Sequence, residues 1–320
     1  MLLATIPLLP PYCFDRLVNR LATHPDPQAS LIIAEKKMYR LFRLQGQPVL
    51  IELLFCGDIE DPFIQLYCED TISEQQKEEL FAIVRHMFSA DVDLRDFYQQ
   101  VTGDSHLALL TRYFRGLRFL LDSDLFSSMV RTIIGQQVNL AFASTMTERL
   151  LALAGEQAMT PDGKTLWAFP TPSAIARLEV GQLREMQFSQ RKAEYIIDFA
   201  RAVVNEQIDL ESIKKMTDDE VVAYLTPLRG IGRWSVECLL MFGLGRPDLL
   251  PAADIGLRNG IQLVYNIPDK LNEKQIRDIG EAWQPWRSYV SLYLWEAVGA
   301  VKRKEEKFID LITNKERLLP

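Results

Sequence analysis

The sequence is poor in residues that build metal and redox centres. Its 320 residues include three histidines and four cysteines. Cys13, Cys56, Cys68 and Cys238 are scattered and form no C-x-x-C pair, which argues against a zinc or iron–sulfur site. No apolar run reaches membrane-spanning length. The start, MLLATIPLLPPYC, lacks the basic region and cleavage pattern of a signal peptide. The expectation is a soluble, cytoplasmic protein with no membrane partner. Basic charge is not in excess either: 36 Lys and Arg against 43 Asp and Glu give a net charge of −7. That balance argues mildly against a protein that coats nucleic acid broadly, though not against a short local footprint. There is no internal repeat and no low-complexity segment. From Val92 onward there is essentially no strand signal.

What is present suffices for two domains with full-sized cores, since 48% of the residues are hydrophobic. Residues 1–90 read as an α+β unit. Phe14, Leu17, Val18 and Leu21 have helical spacing within Tyr12–Leu21. Leu31–Leu44 and Val49–Phe55 read as strands joined by the turn Gly46-Gln47-Pro48, and Phe63–Cys68 as a third. Ser73 and Gln76 have capping-box spacing before a helix over 74–89. Residues 91–300 read as a succession of short helices. Asp124, Asn139, Ser189 and Thr217 are N-cap candidates, and Thr171-Pro172 places proline at a first helical position. The final segment, 301–320, is a charged tail, read as a peripheral helix or partly disordered.

The stretch at 225–258, LTPLRGIGRWSVECLLMFGLGRPDLLPAADIGLR, organises the rest. A helix ends at Leu225, a turn runs through Gly230-Ile231-Gly232, and a second helix runs from Arg233 to about Phe242. Glycines there permit positive φ and leave amides bare for a bulky anion such as a phosphate. Gly243, Gly245, Pro247 and Pro251 then enforce a loop. Asp254 closes that loop as a cap for the next helix, in a field of amides that favours negative charge. On spacing alone Asp254 is more often an ordinary N-cap than a catalytic group. Likewise Trp234 and Trp295, at helical spacing, read more often as core residues, Gly135-Gln136-Gln137 reads equally as an exposed turn, and Arg229, Arg233, Arg246 and Arg258, on charge alone, read as solvated helix surface.

The hairpin and the Asp after it resemble the helix-hairpin-helix glycosylase superfamily. DLFSSMVRTIIGQQVNLAFAS (124–144), FPTPSAIARL (169–178), SQRKAEYIIDFA (189–200) and EAWQPWRSYVSLYLWEAVG (281–299) are similar, in order, to successive blocks of its DNA-3-methyladenine glycosylase II family. The resemblance implies a small TATA-binding-protein-like antiparallel sheet domain at 1–90, followed by an all-α helix-hairpin-helix glycosylase domain at 91–300. It implies a monofunctional DNA repair glycosylase that flips out alkylated purines, hydrolyses the base–sugar bond and leaves an abasic site. The implied partner is double-stranded DNA containing alkylated bases, bound by a monomer.

Residue by residue, the resemblance makes Asp254 catalytic and places Trp234, Trp295 and Cys238 around the base. It puts Gly230, Ile231, Gly232, Arg233, Gln136 and Gln137 against DNA, with Gln137 filling the gap left by the flipped base. Carbonyls of Thr226, Leu228 and Ile231 are implied ligands of a Na⁺ or K⁺; no other cofactor is required. Ala253 stands where some relatives have a second acid, and Cys238 where the best-known relative has an aromatic residue. Two rivals stay open: an oxidised-purine glycosylase/lyase and a non-catalytic hairpin DNA-binding protein.

Overall fold

The computed structural model describes residues 1–23, 26 and 28–313. The N-terminal part is an antiparallel sheet ordered β1-β5-β4-β3-β2, with β1 Leu2–Pro7, β2 Ala29–Ile32, β3 Lys37–Leu44, β4 Gln47–Cys56 and β5 Phe63–Tyr67. Along β4 every second residue, Val49 to Phe55, is buried, the alternation that a strand with one covered face requires. That face packs with α1 (Phe14–Thr23) and α2 (Glu74–Met87). The expected capping box of Ser73 and Gln76 forms at the start of α2.

Three sequence readings of this domain need correction. Leu31–Leu44 is not one strand: a 3-10 turn at Ile33–Glu35, with Lys36 at φ +49°, breaks it into β2 and β3. The β3–β4 turn lies one residue earlier than expected, with Gln45 (φ +48°) and Gly46 (φ +77°) both left-handed. Two such residues match the right-handed twist of a hairpin. Finally, β1 went unread because it is an edge strand with only Ile6 buried, so its sequence does not alternate.

The helical part runs through α3 (Arg95–Gln100), α4 (Ser105–Tyr113), α5 (Leu125–Gly135), α6 (Leu140–Ala154), α7 (Pro172–Ala176), α8 (Val180–Glu185), α9 (Gln190–Val204) and α10 (Leu210–Ile213). It continues with α11 (Asp218–Leu225), α12 (Arg233–Cys238), α13 (Ile255–Tyr265), α14 (Glu273–Gly280), α15 (Arg287–Lys302) and α16 (Glu306–Thr313). The caps expected at Asp124, Asn139, Thr171, Ser189 and Thr217 all accept from the first turn of their helices. One core joins these helices, and α15 crosses it with Ser288–Leu294 wholly buried.

The helical part is not purely helical. A hairpin of β6 (Glu156–Met159) and β7 (Thr165–Ala168) interrupts it between α6 and α7. Its Leu166 and Ala168 pack with Tyr39 and Leu41 on the face of the first sheet turned away from α1 and α2. Four-residue strands are too short to show a period of two, and tertiary contact holds them. Arg43 pairs with Glu156, and Lys164 donates to Ser30, across the same junction. The charged C-terminal segment is likewise docked: α15 extends to Lys302, and Phe308 of α16 packs against Tyr113 and Phe114. The part of that tail from 314 to 320 lies outside the described residues.

Candidate active site

Two helix N-termini and one turn build the site. α11 ends at Leu225 and Thr226 caps it; Leu228 N–H bonds back to Leu225 O, and Ile231 N–H to Leu228 O at 3.1 Å. Gly230 has φ +88°. A Cβ there would stand 2.2 Å from the Tyr195 ring of α9, so the turn closes only on a residue with no side chain. Arg229 lies over that ring and pairs with Glu194. Gly232 differs from Gly230. Its φ is −98°, it is exposed, and a Cβ there would meet no atom within 4 Å. Gly232 is the N-cap of α12 and offers no side-chain cap to the first amides of that helix.

Asp254 is the N-cap of α13. Its Oδ1 accepts from Leu257 N–H at 2.6 Å and from Trp295 Nε1–H of α15 at 2.8 Å. Both donors converge on one oxygen, so the carboxylate is fixed while Oδ2 has no donor among the described residues. The Trp295 indole stacks in turn on Phe242, with ring centroids 6.0 Å apart. Sequence reading had missed Gly256. A Cβ there would lie 3.0 Å from Asp254 Oδ1 and 3.2 Å from Trp295 Cδ1. The indole therefore reaches the carboxylate through space that only glycine leaves. A small residue two positions after a cap was the available signal.

Cys238 and Trp234 are both half-buried on α12, one turn apart. Burial, then the charges of Asp254 and Glu237, push the Cys238 thiol up to about 12. It is a neutral thiol beside the carboxylate, with no thiolate available as a nucleophile at neutral pH.

The turn after α5 is the third element. Gln136 turns inward: its Nε2 donates to Gly230 O at 2.9 Å and to Ser235 Oγ at 3.0 Å, locking this turn to the hairpin. Gln137 is exposed at φ +57°, and Leu140, the first residue of α6, is 71% exposed. Ile255, at the start of α13, is 66% exposed. Of the arginines read from sequence as a footprint, Arg233 pairs with Glu237, and Arg246 with Asp218 and the Met216 carbonyl. Arg258 has its Nε buried without a partner. Among the described residues no group of His, Cys, Asp or Glu could hold a metal ion.

The hairpin, a turn locked to it and a fixed carboxylate thus lie together. Residues 130–285 match the model of the HhH-GPD superfamily of base excision DNA repair proteins. The Bacillus subtilis protein YfjP is 35% identical over 295 residues, which cover 92% of this chain and 98% of its own. The chain belongs to that superfamily. A DNA-3-methyladenine glycosylase of B. subtilis is 32% identical over 71% of this chain and 75% of its own. The solved 3-methyladenine DNA glycosylase of Archaeoglobus fulgidus superposes over 92% of this chain and 97% of its own, at TM-score 0.78 and 23% identity. The chain is thus a base excision DNA glycosylase whose sheet domain and helical domain together match its relatives. No helix among the described residues is long and apolar enough to cross a membrane.

Proposed function

We propose that this glycosylase is monofunctional, binds double-stranded DNA as a monomer, and removes purines alkylated at N3 or N7 in the manner of the glycosylase II type. The observation that carries the reading is the single carboxylate held at Asp254 with one oxygen tied and the other open. Most glycosidic cleavage takes two carboxyl groups, one of which protonates the leaving group. An N3- or N7-alkylated purine already carries positive charge and departs with little protonation. The remaining work is to stabilise an oxocarbenium-like sugar and guide water to its anomeric carbon, both within reach of one carboxylate. Ala253, exposed beside Asp254, supplies no second acid.

A base inside a duplex must leave the stack before its sugar can be reached. The exposed Gln137 fills the gap and its amide meets the orphaned partner base. Trp234 receives the flipped ring, and an aromatic face attracts a cationic purine by about 0.5–2 kcal/mol over a neutral one. Cys238, smaller than an aromatic residue, leaves room beside it. The amides after Gly232 hold a backbone phosphate. The carbonyls of Thr226, Leu228 and Ile231 fit a Na⁺ or K⁺: Thr226 ends a helix, where carbonyls lack intrahelical donors, and Leu228 O keeps one lone pair beyond its bond to Ile231. Such an ion would supply positive charge that favours a phosphate at the hairpin. No other cofactor enters the reaction.

The test of the whole reading is base release from duplex methylated at purines, run with and without borohydride. A lyase needs an amine to form a Schiff base with the sugar. Trp234 stands two residues after Gly232, where lyases of this superfamily carry that lysine, and no lysine lies between Lys215 and Lys270. Lys192 lies beside the turn after α5: burial lowers its pKa, and its Nζ donates to Ile134 O at 2.7 Å. The expected result is free methylated purine, strand breaks only after alkali, and no trapped adduct. An adduct formed as fast as base release, and lost in Lys192→Met, would establish the lyase instead.

Gly256 gives a second prediction. Gly256→Ala adds a good helix former in the first turn of α13, which alone would stabilise by about 1 kcal/mol. It also crowds Oδ1 and the indole by a few tenths of an ångström. Single-turnover base release should fall about tenfold with no loss of thermal stability, since small misplacements near the reacting atoms are costly. Wild-type release from this variant would remove the Asp254–Trp295 contact from the mechanism.

A further inference from the structure

α12 does not end as an α-helix. It runs into a π-helical segment, Leu239–Gly243, and such segments interrupt the helical bonding pattern. Two consecutive carbonyls at its end are taken by donors from outside. Phe242 O accepts from Asp122 N–H at 2.9 Å, and Gly243 O accepts from His86 Nε2 at 2.7 Å. His86 belongs to α2 of the sheet domain, so the imidazole bonds the second helix of the hairpin from across the domain boundary. It lines a cleft of about 660 Å³ between the domains, with Arg43, Glu79, Asp124, Glu211 and Lys214 around the rim. Gly243 is pressed there: a Cβ would meet Leu125 Cδ2 and Ser128 Oγ at 3.0 Å.

The other side of the same segment faces the site. Phe242 stacks on Trp295, and Trp295 holds Asp254 Oδ1. One unbroken series of contacts therefore runs from His86 through Gly243, Phe242 and Trp295 to the carboxylate. We propose that His86 is a positioning residue for Asp254: by fixing the last carbonyl of the π-helical segment it sets Phe242 against Trp295, and Trp295 orients the carboxyl group. The sheet domain thus acts on the reaction through the second helix of the hairpin. Burial lowers the pKa of the His86 imidazole from its ordinary value. The Gly243 carbonyl assigns its proton to Nε2, which leaves Nδ1 as an acceptor.

The proposal rests on Asp254 being the catalytic group. The test measures two quantities on the full chain: single-turnover release of 7-methylguanine from duplex, and the Kd for abasic-site duplex. His86→Leu removes the donor and should slow release about tenfold to a hundredfold, with Kd within about twofold of wild type. His86→Gln restores a donor near the Nε2 position and should recover release to within about threefold. In a Trp295→Phe background, which already lacks the bond to Asp254, His86→Leu should add no further slowing. Wild-type release by His86→Leu, or full additivity with Trp295→Phe, overturns the proposal. Should His86→Leu fail to fold, Phe242→Leu leaves the His86–Gly243 bond intact and decides the matter. It must slow release at unchanged Kd, and wild-type release by it overturns the proposal. Asp254→Asn serves as the control: activity in that variant would mean the catalytic reading itself had failed, independently of His86.

Discussion

Asp254→Asn is expected to lower base release about a thousandfold, while the protein stays folded and binds abasic-site duplex as before. The geometry explains why the three readouts should separate. Both structural hydrogen bonds end on Oδ1, from Leu257 N–H and Trp295 Nε1–H. An asparagine keeps that oxygen as an acceptor, and Asn caps helices about as well as Asp. α13 therefore keeps its start, and the indole keeps its partner. What changes is the other arm: a carboxylate oxygen becomes an amide NH₂, which can neither accept a proton from water nor offset positive charge on the sugar. Asp254→Ala should be equally inactive but less stable, by about 1 kcal/mol, because it also removes the cap. Release of 7-methylguanine by purified Asp254→Asn at even a tenth of the wild-type rate would mean that another group does the chemistry. Equal stability of the Asn and Ala variants would mean that the cap carries no weight.

The parts of this molecule legible in the sequence are those that short-range chemistry fixes. Asp124, Asn139, Thr171, Ser189, Thr217 and Asp254 were identifiable as caps because each bonds the amide three residues on. The hairpin was legible for the same reason, through its two glycines. Contacts over long separation were not. Trp295 reaches Asp254 across 41 residues, and Gln136 reaches Gly230 across 94. Gln136, which the resemblance places against DNA, has a side-chain amide that braces the hairpin. The β6–β7 hairpin and the docking of α16 through Phe308 depend on surfaces supplied by distant segments. The π-helical turn has no pattern of its own, because an extra residue in a turn becomes visible only through the outside donors that take its carbonyls. The roles of the two hairpin glycines could not be told apart either, since one is set by the ring of Tyr195 and the other by empty space.

That difference gives the second large effect. Any side chain at Gly230 meets two penalties, a left-handed backbone at φ +88° and the Tyr195 ring 2.2 Å from the new Cβ. Gly230→Val should cost about 3 kcal/mol or more and loosen the hairpin, so DNA binding and stability fall together. Gly232 should behave in the opposite way. Its backbone is unstrained and its missing Cβ points at nothing, so Gly232→Asp adds a favoured N-cap residue and stabilises α12 by a few tenths of a kcal/mol. The same carboxylate would occupy the helix N-terminus that a DNA phosphate is proposed to use. Losing one hydrogen bond to a charged phosphate removes about 1.5–3 kcal/mol, so duplex affinity should drop about tenfold to a hundredfold for lesion and undamaged DNA alike. Repulsion between two anions would add to the loss and make it steeper at low salt. The measurement is a thermal midpoint for each variant beside its Kd for both duplexes at two salt concentrations. A variant that gains stability while losing DNA can only have been altered where DNA sits. If Gly232→Asp bound both duplexes with wild-type affinity, the N-terminus of α12 would not hold a phosphate of the bound strand, and the footprint would have to be sought around Arg258 and the exposed turn at Gln137.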